Sequence, residues 1–222
     1  MVQAPVINLR VGAGGGADMV DDWGRDRCLV ATVTRLARVR WDVSVGGSQY
    51  LPRRKGALIV VNARRFALAP IYAALALGET LNRPVRFVGR PDTAPVGAFS
   101  RRIGGLLDHP DEVEGALAGG QLVVMGAEHG AIGRVDHTMV GAALSAGVSV
   151  YPAATSSSPF GRAARLEIGP ASKSPRKRRG PLTELELADR VRVDIAMLLD
   201  ELGELNTGTP LDWLPLSGLG GA

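Results

Sequence analysis

At 222 residues the chain has room for one domain with a continuous core. Its 45% apolar and 22% charged residues are ordinary for a globular protein and exclude a fibrous or wholly disordered chain. The net charge of +4 is small, and the single cysteine, Cys28, excludes an intrachain disulfide and suits a reducing cytoplasm.

The start, MVQAPVINLR, has no apolar run before a small-residue cleavage site, so no secretory signal is expected. Residues 12–17 (GAGGGA) match the dinucleotide fingerprint G-x-G-x-x-A after a short apolar run. The acidic residue expected about 20 positions further on is missing, and a flexible Gly-rich leader over 1–20 explains the glycines more simply. An α/β domain is expected over 21–203, with a loose Gly-, Pro- and Ser-rich tail over 204–222. Leu211, Trp213, Leu214 and Leu216 in that tail are apolar enough to touch a membrane or partner, though weak docking suffices for them.

Helical patterns cover 21–37, 67–81, 110–118 and 135–146. Strand patterns cover 39–45, 57–62, 85–89, 121–125, 148–153 and 164–168. Several strands are unbroken apolar runs, as strands covered on both faces require. Pro110 suits a first helical position with Asp111 and Glu112 in the first turn, and Gly119, Gly120 and Gly147 stop helices before strands. The longest uncharged apolar stretch, 66–78, is 13 residues long, short of the about 20 a spanning helix needs. In the last helix, Thr183 and Glu186 have capping-box spacing after Pro181. Leu185, Ala188, Val191, Ile195, Leu198 and Leu202 then form one expected core-facing stripe. This alternation predicts an α/β fold with a mixed, mostly parallel sheet flanked by helices.

The three histidines, His109, His129 and His137, do not cluster with Cys28, so no metal site is expected. Ser156, Ser157 and Ser158 lack a nucleophile elbow. His109 before Pro110 and His137 after Asp136 suit helix entrances. Lys173, Arg176, Lys177, Arg178 and Arg179 form one basic cluster and Arg53, Arg54 and Lys55 another. With no interleaved aromatic side chains, neither reads as a nucleic-acid surface. A solvated loop is the plain reading of the first cluster, and contact with an anionic membrane or an acyl carrier the functional one.

Residues 41–62, WDVSVGGSQYLPRRKGALIVVN, resemble the opening of the phospholipid and glycerol acyltransferase family, where a strand precedes an Asn-His pair. RPVRFVGRP (83–91), RRIGGLLD (101–108), GGQLVVMGAEHG (119–130) and GVSVYPAA (147–154) continue the likeness in order, so that it covers residues 39–200. The family's base is a histidine with an aspartate after four intervening residues. The histidine takes the acceptor hydroxyl proton and the aspartate orients it. Here Ala63 and Leu68 stand at those positions, and neither can hold a proton.

By the same resemblance, Asn62, Arg64, Arg65 and His109 fall at substrate-binding positions. Gly126-Ala127-Glu128-His129 replaces the Phe-Pro-Glu-Gly block, keeping only the glutamate. Glu128 and His129 are the one adjacent titratable pair in a family block and the candidates for a relocated base. The resemblance implies a glycerolipid or phospholipid protein that binds an acyl chain, acyl-CoA or lysophospholipid, or supports a protein partner. Acyl-CoA or acyl-carrier protein would be the donor if the chain is active. No other cofactor is expected, and the expected place is the cytoplasm or the inner face of a membrane.

Overall fold

The computed structural model describes residues 20–62, 68–127, 134–157, 162–173 and 180–202. The expected leader and tail lie outside the described residues, apart from Val20. In chain order the elements are α1 (Arg27–Arg40), β1 (Asp42–Gly46), β2 (Ala57–Asn62), α2 (Ala69–Leu81), β3 (Val85–Val88) and α3 (Val96–Arg102). There follow β4 (Gly105–Leu106), α4 (Pro110–Ala118), β5 (Leu122–Ala127), α5 (His137–Ser145), β6 (Ser149–Ser157), β7 (Ala163–Ile168) and α6 (Pro181–Glu201).

The strands form one seven-stranded sheet in the order β1-β7-β6-β2-β5-β3-β4. All pairings are parallel except β6 with β7, so β1 and β7 run against the other five. The expected mixed, mostly parallel α/β sheet is what the chain adopts. Central β2 shows why its sequence is unbroken apolar: Ala57 through Val61 are fully buried. Ala57, Ile59 and Val61 face one core with α2, while Leu58 and Val60 face the other with α4, α5 and α6. Each such buried aliphatic side chain contributes about 1.5–3 kcal/mol over its exposed state.

The first helix begins at Arg27 rather than 21, because the preceding residues turn back on themselves. The Asp21 carboxylate accepts the Trp23 and Arg25 amides at 3.1 and 2.9 Å. Asp26 then caps α1, accepting from the Leu29 amide at 3.0 Å and from Arg102 at 2.6 Å. These two partners, the amide first, hold the Asp26 carboxyl below the usual carboxylate range. A depressed folded pKa means this stabilisation is present above about pH 4 and lost as pH falls further. Asp26→Asn is therefore expected to flatten the acid limb of the stability profile, measured by urea unfolding between about pH 2 and 6.

The last helix departs from expectation at its first turn. It starts at Pro181 with Gly180 at the N-cap, so Thr183 lies inside the helix rather than capping it. The buried stripe is Leu187, Ala188, Val191, Ile195 and Leu199, while Leu185 is 46% exposed. A 3.6-residue period carried back from Ala188 passes through 184, not 185. Glu184 takes that position and lies against Gly141, where a Cβ would sit 2.9 Å from its carboxyl carbon. Elements α3 and β4 were not expected, being only seven and two residues long. At the end of β1, Gly47 has φ +71°, and a Cβ there would meet the Ile168 carbonyl oxygen. Glycine is required at that close crossing.

Candidate functional site

In a parallel sheet the chemistry gathers where strands end and loops begin. Here β2 and β5 are paired to their last residues, with Asn62 opposite Ala127. On its other side β2 pairs with the first half of β6, as far as Val61 opposite Ala153. Beyond that point β6 continues alone and pairs with β7 instead. The chain therefore leaves β2 and β5 from neighbouring positions, toward residue 63 from one strand and 128 from the other.

Asn62 closes this end. Its side-chain amide donates to the Thr155 carbonyl at 2.9 Å, and its Oδ1 accepts the Thr155 amide. The Thr155 hydroxyl is 3.0 Å from Oδ1 and 3.2 Å from the Asn62 carbonyl, able to donate to either. Thr155 is buried, so these bonds satisfy groups water does not reach. Asn62, expected from the resemblance at a substrate-binding position, thus serves as a clamp between β2 and β6.

Of the other positions singled out in the sequence, Leu68 sits at the N-cap of α2. His109 occupies the N-cap of α4 but makes no side-chain cap bond, which corrects the capping role expected for it. Its ring is 61% exposed and lies 3.8 Å from Asp111. It follows β4, three strands from β2, or about 14 Å across the sheet. His137 opens α5 as expected, with Asp136 as the cap. Lys173 is exposed. Ala63, Arg64, Arg65, Glu128, His129, Arg176, Lys177, Arg178 and Arg179 lie outside the described residues.

Two features were not anticipated. The first is a buried cation: Arg86 on β3 is 1% exposed and pairs with Asp21 at 2.6 Å. Its Nε donates to Gln121 at 3.3 Å, and the Trp23 ring centroid lies 5.6 Å away. Burial lowers its pKa from the usual value, and Asp21 opposes that shift. Just past the same strand, Arg90 pairs with Glu112 of α4 at 3.3 Å, and its Nε is buried without a partner. The VRFVGR pattern placed both arginines around one strand, but only the fold shows which is internal.

The second is a cavity of about 570 Å³ between α1, α2 and the start of β1. Trp41, Val43, Tyr72, Leu75 and Ala76 give the apolar part of its lining, and Arg38, Asp42, Glu79 and Arg162 are its charged members. The Trp41 and Tyr72 rings are 5.5 Å apart. Tyr72 lies in the first turn of α2, four residues after Leu68, and the lining continues along that helix to Thr80. Its volume is in the range of small-molecule sites, about 300–1,000 Å³.

No protein-family model matches the sequence, and no curated protein matches it. Among solved structures, the chain resembles the 1-acyl-sn-glycerophosphate (LPA) acyltransferase PlsC from Thermotoga maritima, with a TM-score of 0.54. The likeness covers 81% of this chain and 83% of that one at 16% identity. The two chains share a fold. At that identity the likeness fixes the path of the chain and leaves the chemistry to the residues themselves.

Proposed function

We propose that this protein is an acyltransferase-like member of glycerolipid metabolism that binds an acyl chain, acyl-CoA or lysophospholipid without the usual catalytic pair. The observation that carries this reading is the combination at the ends of β2 and α2. Asn62 ends β2 and Leu68 is the N-cap of α2, and by the sequence resemblance Leu68 falls at the position of the orienting aspartate. Ala63 stands where the base belongs. Loss of general-base catalysis costs about 10²–10⁴-fold, and loss of a cooperating pair more. The cavity beside Tyr72, apolar at Trp41, Val43 and Leu75 and charged at Arg38, Asp42, Glu79 and Arg162, supports retained binding of a ligand with an apolar and a charged part. An anionic membrane surface, met in part through Lys173 and its basic neighbours, or a partner enzyme completes the reading.

The test combines turnover and binding. Purified protein given acyl-CoA and lysophosphatidate is expected to release no coenzyme A above background, while calorimetry shows saturable binding of one or both. Turnover at about 1–10³ s⁻¹, abolished by Glu128→Gln or His129→Ala, would replace this reading with a relocated base. Neither turnover nor binding would remove the lipid ligand altogether.

A further inference from the structure

We propose that the turns gathered at the start of β2 form a docking surface for an acidic face of a partner protein. The surface lies at the opposite end of β2 from Asn62, about 17 Å along the strand. The inference therefore goes beyond the ligand reading and does not rest on it.

Strands β2, β3, β5 and β6 run parallel, so the turns leading into them lie at one end of the sheet. Strands β1 and β7 run the other way and finish at that same end. There the Ser172 amide donates to the Val150 carbonyl at 2.9 Å, and Val150 is paired with Leu58. Exposed Lys173 is thereby set about 10 Å across the sheet from the start of β2. The five turns at this end cover 47–56, 82–84, 119–121, 146–148 and 169–173. They hold Arg53, Arg54, Lys55, Arg83 and Lys173, and no aspartate or glutamate. Carboxylates on the flanking segments, Asp21, Asp26 and Glu79, are already paired with Arg86, Arg102 and Arg38.

The turn into β2 is held as an arch. Arg83 donates to both of its feet, the Pro52 carbonyl at 2.8 Å and the Lys55 carbonyl at 3.4 Å, and to the Gly120 carbonyl at 2.7 Å. Gly56 closes the arch against α4, where a Cβ would meet the Leu117 carbonyl oxygen. Arg53, Arg54 and Lys55 stand exposed on it, and among the described residues their side chains have no hydrogen bond or ion pair. Arg83 binds carbonyl oxygens, so its charge adds to theirs rather than cancelling against a carboxylate. Three cations fixed side by side above a fourth make a lasting positive field.

The form of this field favours a protein over other anions. Its charges spread over about 10 Å, which a row of carboxylates matches and a single phosphate does not. Among the large apolar side chains of these turns only Tyr50 is exposed. The surface thus has no apolar face to enter a bilayer and no series of rings for stacked bases. Tyrosine beside arginine is the composition of protein contacts, and a pinned backbone has little freedom left to lose on binding.

The probe is a fluorescein-labelled helical peptide of about five turns with glutamates along one face, beside a counterpart with glutamines there. Fluorescence anisotropy with the full chain is expected to show saturable binding of the glutamate peptide only. Arg53→Gln with Arg54→Gln and Lys55→Gln is expected to weaken that binding about tenfold or more. All three sites are exposed, so the thermal melt of this variant should match wild type. Arg176→Gln, Lys177→Gln, Arg178→Gln and Arg179→Gln together are expected to change the affinity by less than about twofold. No binding of the glutamate peptide overturns the proposal. So does binding that the triple variant keeps, or that only the 176–179 variant loses. Duplex DNA or phosphatidylglycerol vesicles held more tightly than the peptide, through the same three side chains, would make this a phosphate-binding surface and overturn it as well. The assay contains no acyl ligand, so its failure leaves the proposed function standing, and failure of ligand binding leaves this surface standing.

Discussion

Asp21→Ala is expected to cost about 3–5 kcal/mol of folding free energy, read as a lower urea midpoint with unchanged slope. The reason lies in the groups left behind. Arg86 is held inside the protein on β3, and Asp21 is its only ion-pair partner among the described residues. Without that carboxylate the guanidinium keeps one amide oxygen, on Gln121, and the face of Trp23. A cation stranded in a low-dielectric interior is costly, and arginine does not escape by losing its proton. The Asp21 side chain is 25% exposed, so some water would enter, and the lower end of the range is the better expectation. Asp21 also accepts the Trp23 and Arg25 amides, and losing that turn adds to the cost. The decisive arm is Asp21→Ala combined with Arg86→Met. With both charges gone, the double variant should be more stable than Asp21→Ala alone. Purely additive losses would sink the account of a stranded charge.

Asn62→Ala is expected to cost about 2–4 kcal/mol, although it removes little apolar contact. The Thr155 amide and carbonyl both use the Asn62 side chain, because β6 at that point has run past the end of β2. Alanine would leave two buried backbone groups without partners, each costing about 1–3 kcal/mol. Thr155→Val separates this from loss of the hydroxyl. It keeps the backbone pairs with Asn62 and should cost only about 1 kcal/mol. Equal losses in the two variants would place the energy in the hydroxyl rather than in the clamp. Tight ligand binding by a folded Asn62→Ala protein would further mark this position as structural.

The unequal readability of the chain has a physical basis. Strand β2 and helix α4 were legible to their end residues, because a doubly covered strand must be apolar throughout and Pro110 fixes a helix start. Helix α3 spans only about two turns and strand β4 a single alternation, too little for a repeating pattern to show. The α6 stripe was read one position out at its start, where a carboxylate against a glycine occupies the inner face. At the candidate site, Asn62 could be named from the sequence as the end of a strand. Its partner Thr155 lies 93 residues away and carries no local mark of that role. The interior place of Arg86 was hidden for the same reason, since Asp21 is 65 residues distant. The cavity is lined from α1, α2, β1 and the start of β7, and no linear segment contains it.

The pairing of β1 with β7 also sets a timetable for synthesis. Asp42 finds its strand partner at Ala163, and among the described residues the only strand beside β1 in the sheet is β7. At about 5–20 residues per second, the ribosome needs roughly 6–24 s to make the stretch between them. During that interval β1 has no edge to join, while β2 can already pair with β5, and β5 with β3. The early-made end of the chain is thus among the last parts to be fixed. A nascent chain halted before residue 163 should protect β2 and β5 amides from hydrogen exchange and leave those of β1 open.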